Sequence, residues 1–234
     1  MNEFLLLVTA ILSASAVVVA WRAGKERLYT VMLVFLLLVS TFGGKVAVFF
    51  GHSTNTGNIF YASVYLATYF VIERYGAREG LYSIWVGVLG VTVFLLLGGL
   101  SVLLVSVPAT ANLSAALSMA FAPVPRIAFA SMVAYVVSQN FNVRLYIRLK
   151  RQSGSEHLWW RANAANAVAQ VIDSIVFFVV AFIGSVPGPD IIGIILTGLA
   201  IKIVYMMIAS PLLYLNRVVE EDDDGNGNAM VVLT

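Results

Sequence analysis

Four polar side chains recur at helical intervals inside an apolar stretch: Asn163, Asn166, Gln170 and Asp173 in LWWRANAANAVAQVIDSIVFF, residues 158–178. Offsets of three, four and three residues place all four on one face of a helix. One carboxylate among amides that both donate and accept suits holding a polar, planar molecule rather than breaking a bond. A lipid-facing carboxylate near a bilayer centre costs about 3 kcal/mol or more, so such groups face a bundle interior or a wet cavity. The stripe points to a polar solute handled at membrane depth.

Other segments carry matching faces. Residues 127–149 place Ser131, Tyr135, Ser138, Gln139 and Asn142 on one side, and residues 58–74 do the same with Tyr61, Tyr65, Thr68, Tyr69 and Glu73. Lys45 follows the Gly43-Gly44 pair, and Lys202 shares a face with Gly198 and Tyr205. With a helical rise of about 1.5 Å per residue, Asp173, Gln139 and Lys202 fall near the midplane. Lys45 falls about 10 Å to one side and Glu73 about 10 Å to the other. Asp173 and Lys202 are therefore expected to pair, since burying either charge alone is costly.

These faces need membrane-length elements, and the composition supplies them. Hydrophobic residues make up 60% of the chain and charged residues 11%, far from the balance of a soluble domain. The fold class is an all-α integral membrane protein, a polytopic helix bundle. Hydropathy predicts seven spans, at 4–21, 28–49, 58–74, 82–105, 127–149, 161–184 and 191–216. The third is short for a span and reads as tilted or re-entrant. HSTNTGN (His52–Asn58) separates the second and third spans, Pro108 to Pro125 leaves room for a short interfacial helix, and Pro187, Gly188 and Pro189 mark a turn. By domain, 1–27 is an additional N-terminal helix with its loop, 28–217 a six-helix core, and 218–234 an acidic tail whose composition predicts disorder.

The cations orient the bundle. Arg22, Lys25, Arg27, Arg74, Arg78, Arg144, Arg148, Lys150, Arg151, Arg161 and Arg217 all fall on one side of the predicted spans, while Arg126 falls opposite. The positive-inside rule then puts the N-terminus outside and the C-terminus inside. Ala14-Ser15-Ala16 resembles a signal-peptidase site, but Asn2 and Glu3 occupy the place of a basic n-region, so the first span reads as an anchor.

Several functions are disfavoured. A net charge of +2 is too small for a nucleic-acid binder, and the absence of Cys removes thiol chemistry and thiolate metal sites. His52 and His157 lack ligand-spaced partners, no catalytic triad or zincin motif lies at depth, and no connection is long enough for a nucleotide-binding fold. No cofactor, metal or catalysis is expected.

Each polar residue also has a plainer reading. Neutral side chains often join helices, at about 0.6 kcal/mol per contact. Glu73 near a helix end can pair with Arg74 or Arg78, Gly43-Gly44 reads as a packing or hinge site, and Trp159 and Trp160 read as interfacial anchors. The combination is harder to explain that way, because three helices carry aligned polar faces and two opposite charges share one depth.

ERYGAREG (73–80), RIAFASMVAYVVSQNFNVRLYIRLK (126–150), HLWWRANAANAVAQVIDSIVFF (157–178) and KIVYMMIASPLLY (202–214) together resemble the queuosine precursor transporters, grouped with the vitamin uptake transporters. The motif positions are Glu73, Tyr75 and Gly76; Ala134, Tyr135, Ser138 and Gln139; Leu158, Trp159, Arg161, Gln170 and Asp173; and Lys202 and Pro211. The resemblance covers residues 28–216, with the first span as an addition. It departs at Tyr69 and Asn142, where the family usually carries Asp.

The resemblance implies a multi-pass importer in the cell membrane for a 7-deazaguanine-type base used in tRNA modification. Gln139, Asn142, Asn166, Gln170 and Asp173 are then expected to recognise the base, Tyr69 and Tyr135 to stack on it, Lys202 to balance Asp173 and Lys45 to gate the outer side, with Glu73 also among the binding residues. Its expected partners are a planar nitrogen heterocycle and the lipid bilayer, with homo-oligomerisation or coupling subunits left open. Two alternatives are a substrate-binding subunit of an energy-coupling-factor type transporter, with Ala10/Ala14 and Ala16/Ala20 as a docking stripe, and a membrane sensor.

Overall fold

A computed structural model describes residues 1–121, 125–153, 157–182 and 189–216. Helices α1 (Asn2–Ala23), α2 (Lys25–Phe42), α3 (Asn58–Tyr75), α4 (Ala77–Val102), α5 (Ala111–Phe121), α6 (Pro125–Ser153), α7 (Leu158–Phe182) and α8 (Pro189–Ala209) form the bundle. A 3-10 turn, Ser210–Tyr214, extends α8. The expected short helix after Pro108 is α5, and none of its side chains is buried. Pro187, Gly188, Arg217, the acidic tail and the side chain of Arg126 lie outside the described residues.

Four stretches, Asn2–Ala23, Ala77–Val102, Leu158–Ala181 and Ile191–Tyr214, are long and apolar enough to cross a membrane. Large apolar side chains such as Phe4, Ile11, Leu89, Leu96, Leu196 and Val204 are exposed along them. Such a surface suits lipid, where only the internally satisfied backbone of a helix or closed barrel is tolerated. The chain is a polytopic helical membrane protein.

The sequence reading of α3 needs correction. It is one continuous helix and not a re-entrant element, and residues 58–72 are almost continuously buried, with α1, α2, α4, α6 and α8 packed around it. A helix enclosed by protein can be short and rich in Tyr, Ser and Thr, since neighbouring side chains satisfy its polar groups. Tyr65–Ser138, Tyr69–Asn142 and Tyr146–Glu73 are hydrogen-bonded pairs, each 73 residues apart, so α3 and α6 run parallel in one fixed register. Gly24 (φ 114°) and Gly76 (φ 89°) each join two helices with no other linking residue, in backbone conformations that side chains disfavour.

The second predicted span also needs correction. α2 ends at Phe42, and residues beyond it form an antiparallel hairpin, β1 (Val46–Phe49) with β2 (His52–Asn55). Phe50 (φ 51°) and Gly51 (φ 80°) form its two-residue turn, both at the positive φ that a type I′ turn requires. Gly43 and Gly57 allow the chain to leave α2 and enter α3 at close quarters: a Cβ on Gly57 would lie 3.2 Å from the Gly43 Cα. Asn2 and Glu3 of α1 hold the hairpin, through Asn2 Nδ2 to the Val48 carbonyl and the Phe50 amide to the Glu3 carboxylate.

The hairpin marks one end of the bundle and the cations the other. Arg74 donates to the Trp21 carbonyl and lies over its ring, joining the C-terminal ends of α1 and α3. Lys25 and Tyr29 both meet Glu79 where α2 and α4 begin.

Candidate functional site

A cavity of about 570 Å³ enters the bundle at the hairpin end, passing exposed Gly44 and Val46. Its walls are mainly apolar, with Leu36, Val91, Phe177 and Ile195 among them, and its polar lining includes Tyr61, Tyr135, Asp173 and Lys202. A concave apolar site with a few convergent polar groups is the usual form of a small-molecule site.

Asp173 gathers groups from three other helices. Tyr61 of α3 donates to Oδ1 at 2.6 Å, Ser138 of α6 donates to the same oxygen at 3.2 Å, and Lys202 of α8 reaches Oδ2 at 3.4 Å. Lys202 Nζ also lies 5.1 Å from the centre of the Tyr61 ring. Tyr65 extends the network through Ser138 at 2.9 Å. The pairing expected of Asp173 and Lys202 is therefore present, at the wall of an accessible cavity.

Below this set, Tyr69 donates to Asn142 at 2.6 Å, and Asn142 donates to Gln139 at 3.2 Å. Gln170 reaches Asn166 at 3.4 Å across one turn of α7. Gln139, Asn142, Asn166 and Gln170 are buried and do not line the cavity. Tyr69 is stacked on Tyr146, ring centres 4.6 Å apart, so its face is already covered. Tyr135 does line the cavity, and its hydroxyl has no hydrogen-bond partner there.

At the cationic end, Glu73 closes the bundle. Its carboxylate receives Arg161 at 2.9 Å, Tyr146 at 2.8 Å and Lys150 at 3.1 Å. Arg74, one of the local partners within reach of Glu73, turns away to Trp21 and Tyr75. Arg161, counted among the orienting cations, is buried with a side-chain exposure of 1%. Lys45 is also displaced from its expected place: it lies between α2 and β1, outside any helix, exposed and away from the cavity lining. Gly43 ends α2 before the segment reaches Lys45.

Tyr61, Ser138 and Tyr146 also contribute, although the sequence does not single them out as binding residues. Tyr61 and Ser138 stood on the polar faces already noted. Tyr146 lies one helical turn after Asn142, and its spacing alone was the available signal. Asn163, the first member of the stripe, is occupied with the Trp159 carbonyl and Ser210.

Gly87 gives the cavity wall its shape. A Cβ there would lie 2.5 Å from Leu36 Cδ1 and 2.9 Å from the Tyr135 hydroxyl. Gly87→Val is expected to destabilise the protein by about 1–3 kcal/mol through overpacking, read as a lower thermal midpoint in detergent.

Residues 55–216 match the family described as "Putative vitamin uptake transporter". The chain belongs to this vitamin uptake transporter family. It is also 30% identical over 184 residues to the "Probable queuosine precursor transporter" of Bacillus subtilis (strain 168), an alignment covering 77% of this chain and 79% of that one. No solved structure matches. The family match begins in β2 and runs through the 3-10 turn after α8, so it takes in Asp173, Lys202 and the Glu73–Arg161 pair. Membership of a transporter family implies a small-molecule substrate. Among the described residues, no group of His, Asp and Glu side chains is placed to hold a metal ion.

Proposed function

We propose that this vitamin uptake transporter imports a 7-deazaguanine-type base, a precursor for tRNA modification, across the cell membrane. The observation that carries the reading is Asp173 at the wall of the hairpin-end cavity, held by Tyr61, Ser138 and Lys202. A carboxylate can accept from two N–H groups of a flat heterocycle, and Tyr61 and Tyr135 beside it offer aromatic edges and faces. The name of the Bacillus subtilis relative supports the substrate class.

In this reading the chain crosses the membrane seven times, α1 being added to a six-helix core, with the N-terminus outside and the C-terminus inside. The cationic end faces the cytoplasm, and the cavity faces outward. Asp173 and Tyr135 meet the base first, Lys202 balances Asp173, and Gln139, Asn142, Asn166 and Gln170 act deeper along the path. Glu73 and Tyr69 act through the closure of the cytoplasmic end rather than by touching the base in the cavity. A docking role for the Ala10, Ala14, Ala16 and Ala20 stripe loses its support, because these residues pack against the protein's own core.

Purified protein is expected to gain thermal stability with 7-deazaguanines and to gain none with unrelated vitamins, since a ligand of the folded state raises the midpoint. Failure of every deazaguanine to bind, alongside a shift with some other vitamin, would replace this substrate assignment.

A further inference from the structure

Two cross-helix contacts bracket a layer of the bundle that the cavity does not reach. Ser138 of α6 meets Asp173 of α7 at 3.2 Å, and Tyr146 of α6 meets Arg161 of α7 at 3.2 Å. The eight steps from residue 138 to residue 146 span about 12 Å of helix. Gln139 and Asn142 fall in this interval on α6, and Asn166 and Gln170 fall in it on α7.

This layer carries hydrogen-bonding capacity that the protein leaves unused. Gln139 Nε2, Asn166 Nδ2 and Gln170 Oε1 have no hydrogen-bond partner, although the three residues are 0%, 1% and 0% exposed. Buried polar groups are nearly always paired, so three unpaired amide atoms in one layer call for an occupant. Reversing an amide does not remove the surplus. The chain Tyr69–Asn142–Gln139 has three members in line, and whichever way it is polarised one terminal atom of Gln139 remains over. Asn166 and Gln170 share one bond and keep one terminal atom each. No carboxylate of the two ion pairs belongs to this layer, so its recognition chemistry is neutral.

Resting on the function proposed above, we infer that this amide layer is a second, occluded seat for the transported base, separate from the seat at Asp173. Its occupant is an uncharged planar heterocycle with a carbonyl adjacent to N–H groups, matched by amides that both donate and accept. The base leaves Asp173, enters the amide layer when α6 and α7 part, and is held there above the Glu73–Arg161 closure. Tyr69 and Asn142 fit this role, because they keep the layer neutral and hold Gln139 in place.

Gln139→Met and Gln170→Met, singly and together, test the second seat against 7-deazaguanine as the probe. Met conserves length and removes the unpaired amide. Equilibrium binding to purified protein reads the outer seat, and counterflow exchange in proteoliposomes, which needs no energy source, reads the whole path. The double variant is expected to keep its dissociation constant within about threefold while exchange falls about 30-fold. The thermal midpoint of the ligand-free protein is expected to hold or rise, because unpaired buried groups have been removed. Unchanged exchange in the double variant would assign these amides to helix packing or to bound water and overturn the second seat. A binding loss parallel to the exchange loss would leave one seat, overturning the inference while leaving the substrate assignment intact. If the wild-type protein binds no deazaguanine, the substrate assignment falls, and the second seat for that base falls with it.

Discussion

Asp173→Asn is expected to abolish uptake and to destabilise the protein by about 3 kcal/mol, the lower end of the cost of breaking a buried ion pair. The neutral amide still accepts from Tyr61 and Ser138, so those two contacts survive and the loss falls on Lys202. Lys202 is 7% exposed, and its nearest carboxylate is gone. One feature limits the damage: Lys202 lines the cavity instead of being packed wholly in protein.

A second substitution separates stability from transport. Asp173→Asn with Lys202→Met is expected to recover most of the lost stability, because a buried ion pair is often replaceable by uncharged groups. Uptake is expected to remain absent, because the recognition proposed above runs through the Asp173 carboxylate. Thermal unfolding and proteoliposome uptake of the single and double variants give both readings. Recovery of uptake along with stability would make the pair a structural brace and remove Asp173 from the site.

What the sequence made legible here was set by helical periodicity. The stripe from Asn163 to Asp173, the Ser131–Asn142 face and the Tyr61–Glu73 face could be read because polar residues at three- and four-residue steps stand out against an apolar background. Depth reckoning even anticipated the contact of Asp173 with Lys202. Periodicity says nothing about which neighbour a face meets, so it offers Glu73 only the local partners Arg74 and Arg78 and not Arg161 of α7. Hydropathy averages over a window, and VAVFF after Lys45 is as apolar as a helix, so hydropathy alone carries the span across the hairpin and puts Lys45 at depth. The position of α3 was hidden for a related reason. A short apolar segment with many Tyr residues can be a poor span or an enclosed central helix, and only the surrounding helices decide between them.

The Glu73–Arg161 closure at the cationic end is expected to be more sensitive than the Asp173–Lys202 pair. Glu73→Gln leaves Arg161, with its side chain 1% exposed, facing an amide in place of a carboxylate. Arginine keeps its charge inside a protein, and Arg161 does not line the cavity as Lys202 does, so the charge remains buried. The expected destabilisation is about 4–5 kcal/mol, the upper end of the range for a broken buried pair. Lys150→Ala is the control: Lys150 meets the same carboxylate, but its side chain is 40% exposed, and its loss is expected to cost under about 1 kcal/mol.

The same substitution is expected to open the path from the cytoplasmic side. If the inward-open form separates Glu73 from Arg161, weakening that contact by about 4 kcal/mol shifts the balance toward it by nearly a thousandfold. The chain contains no Cys, so a single Asn166→Cys substitution provides a labelling site without background. Its thiol is expected to be shielded with Glu73 intact and to react with a membrane-impermeant reagent from the cytoplasmic face once Glu73→Gln is added. Equal shielding in both backgrounds would mean that the Glu73–Arg161 contact supports the fold without controlling access, and the closure would have to lie at another layer.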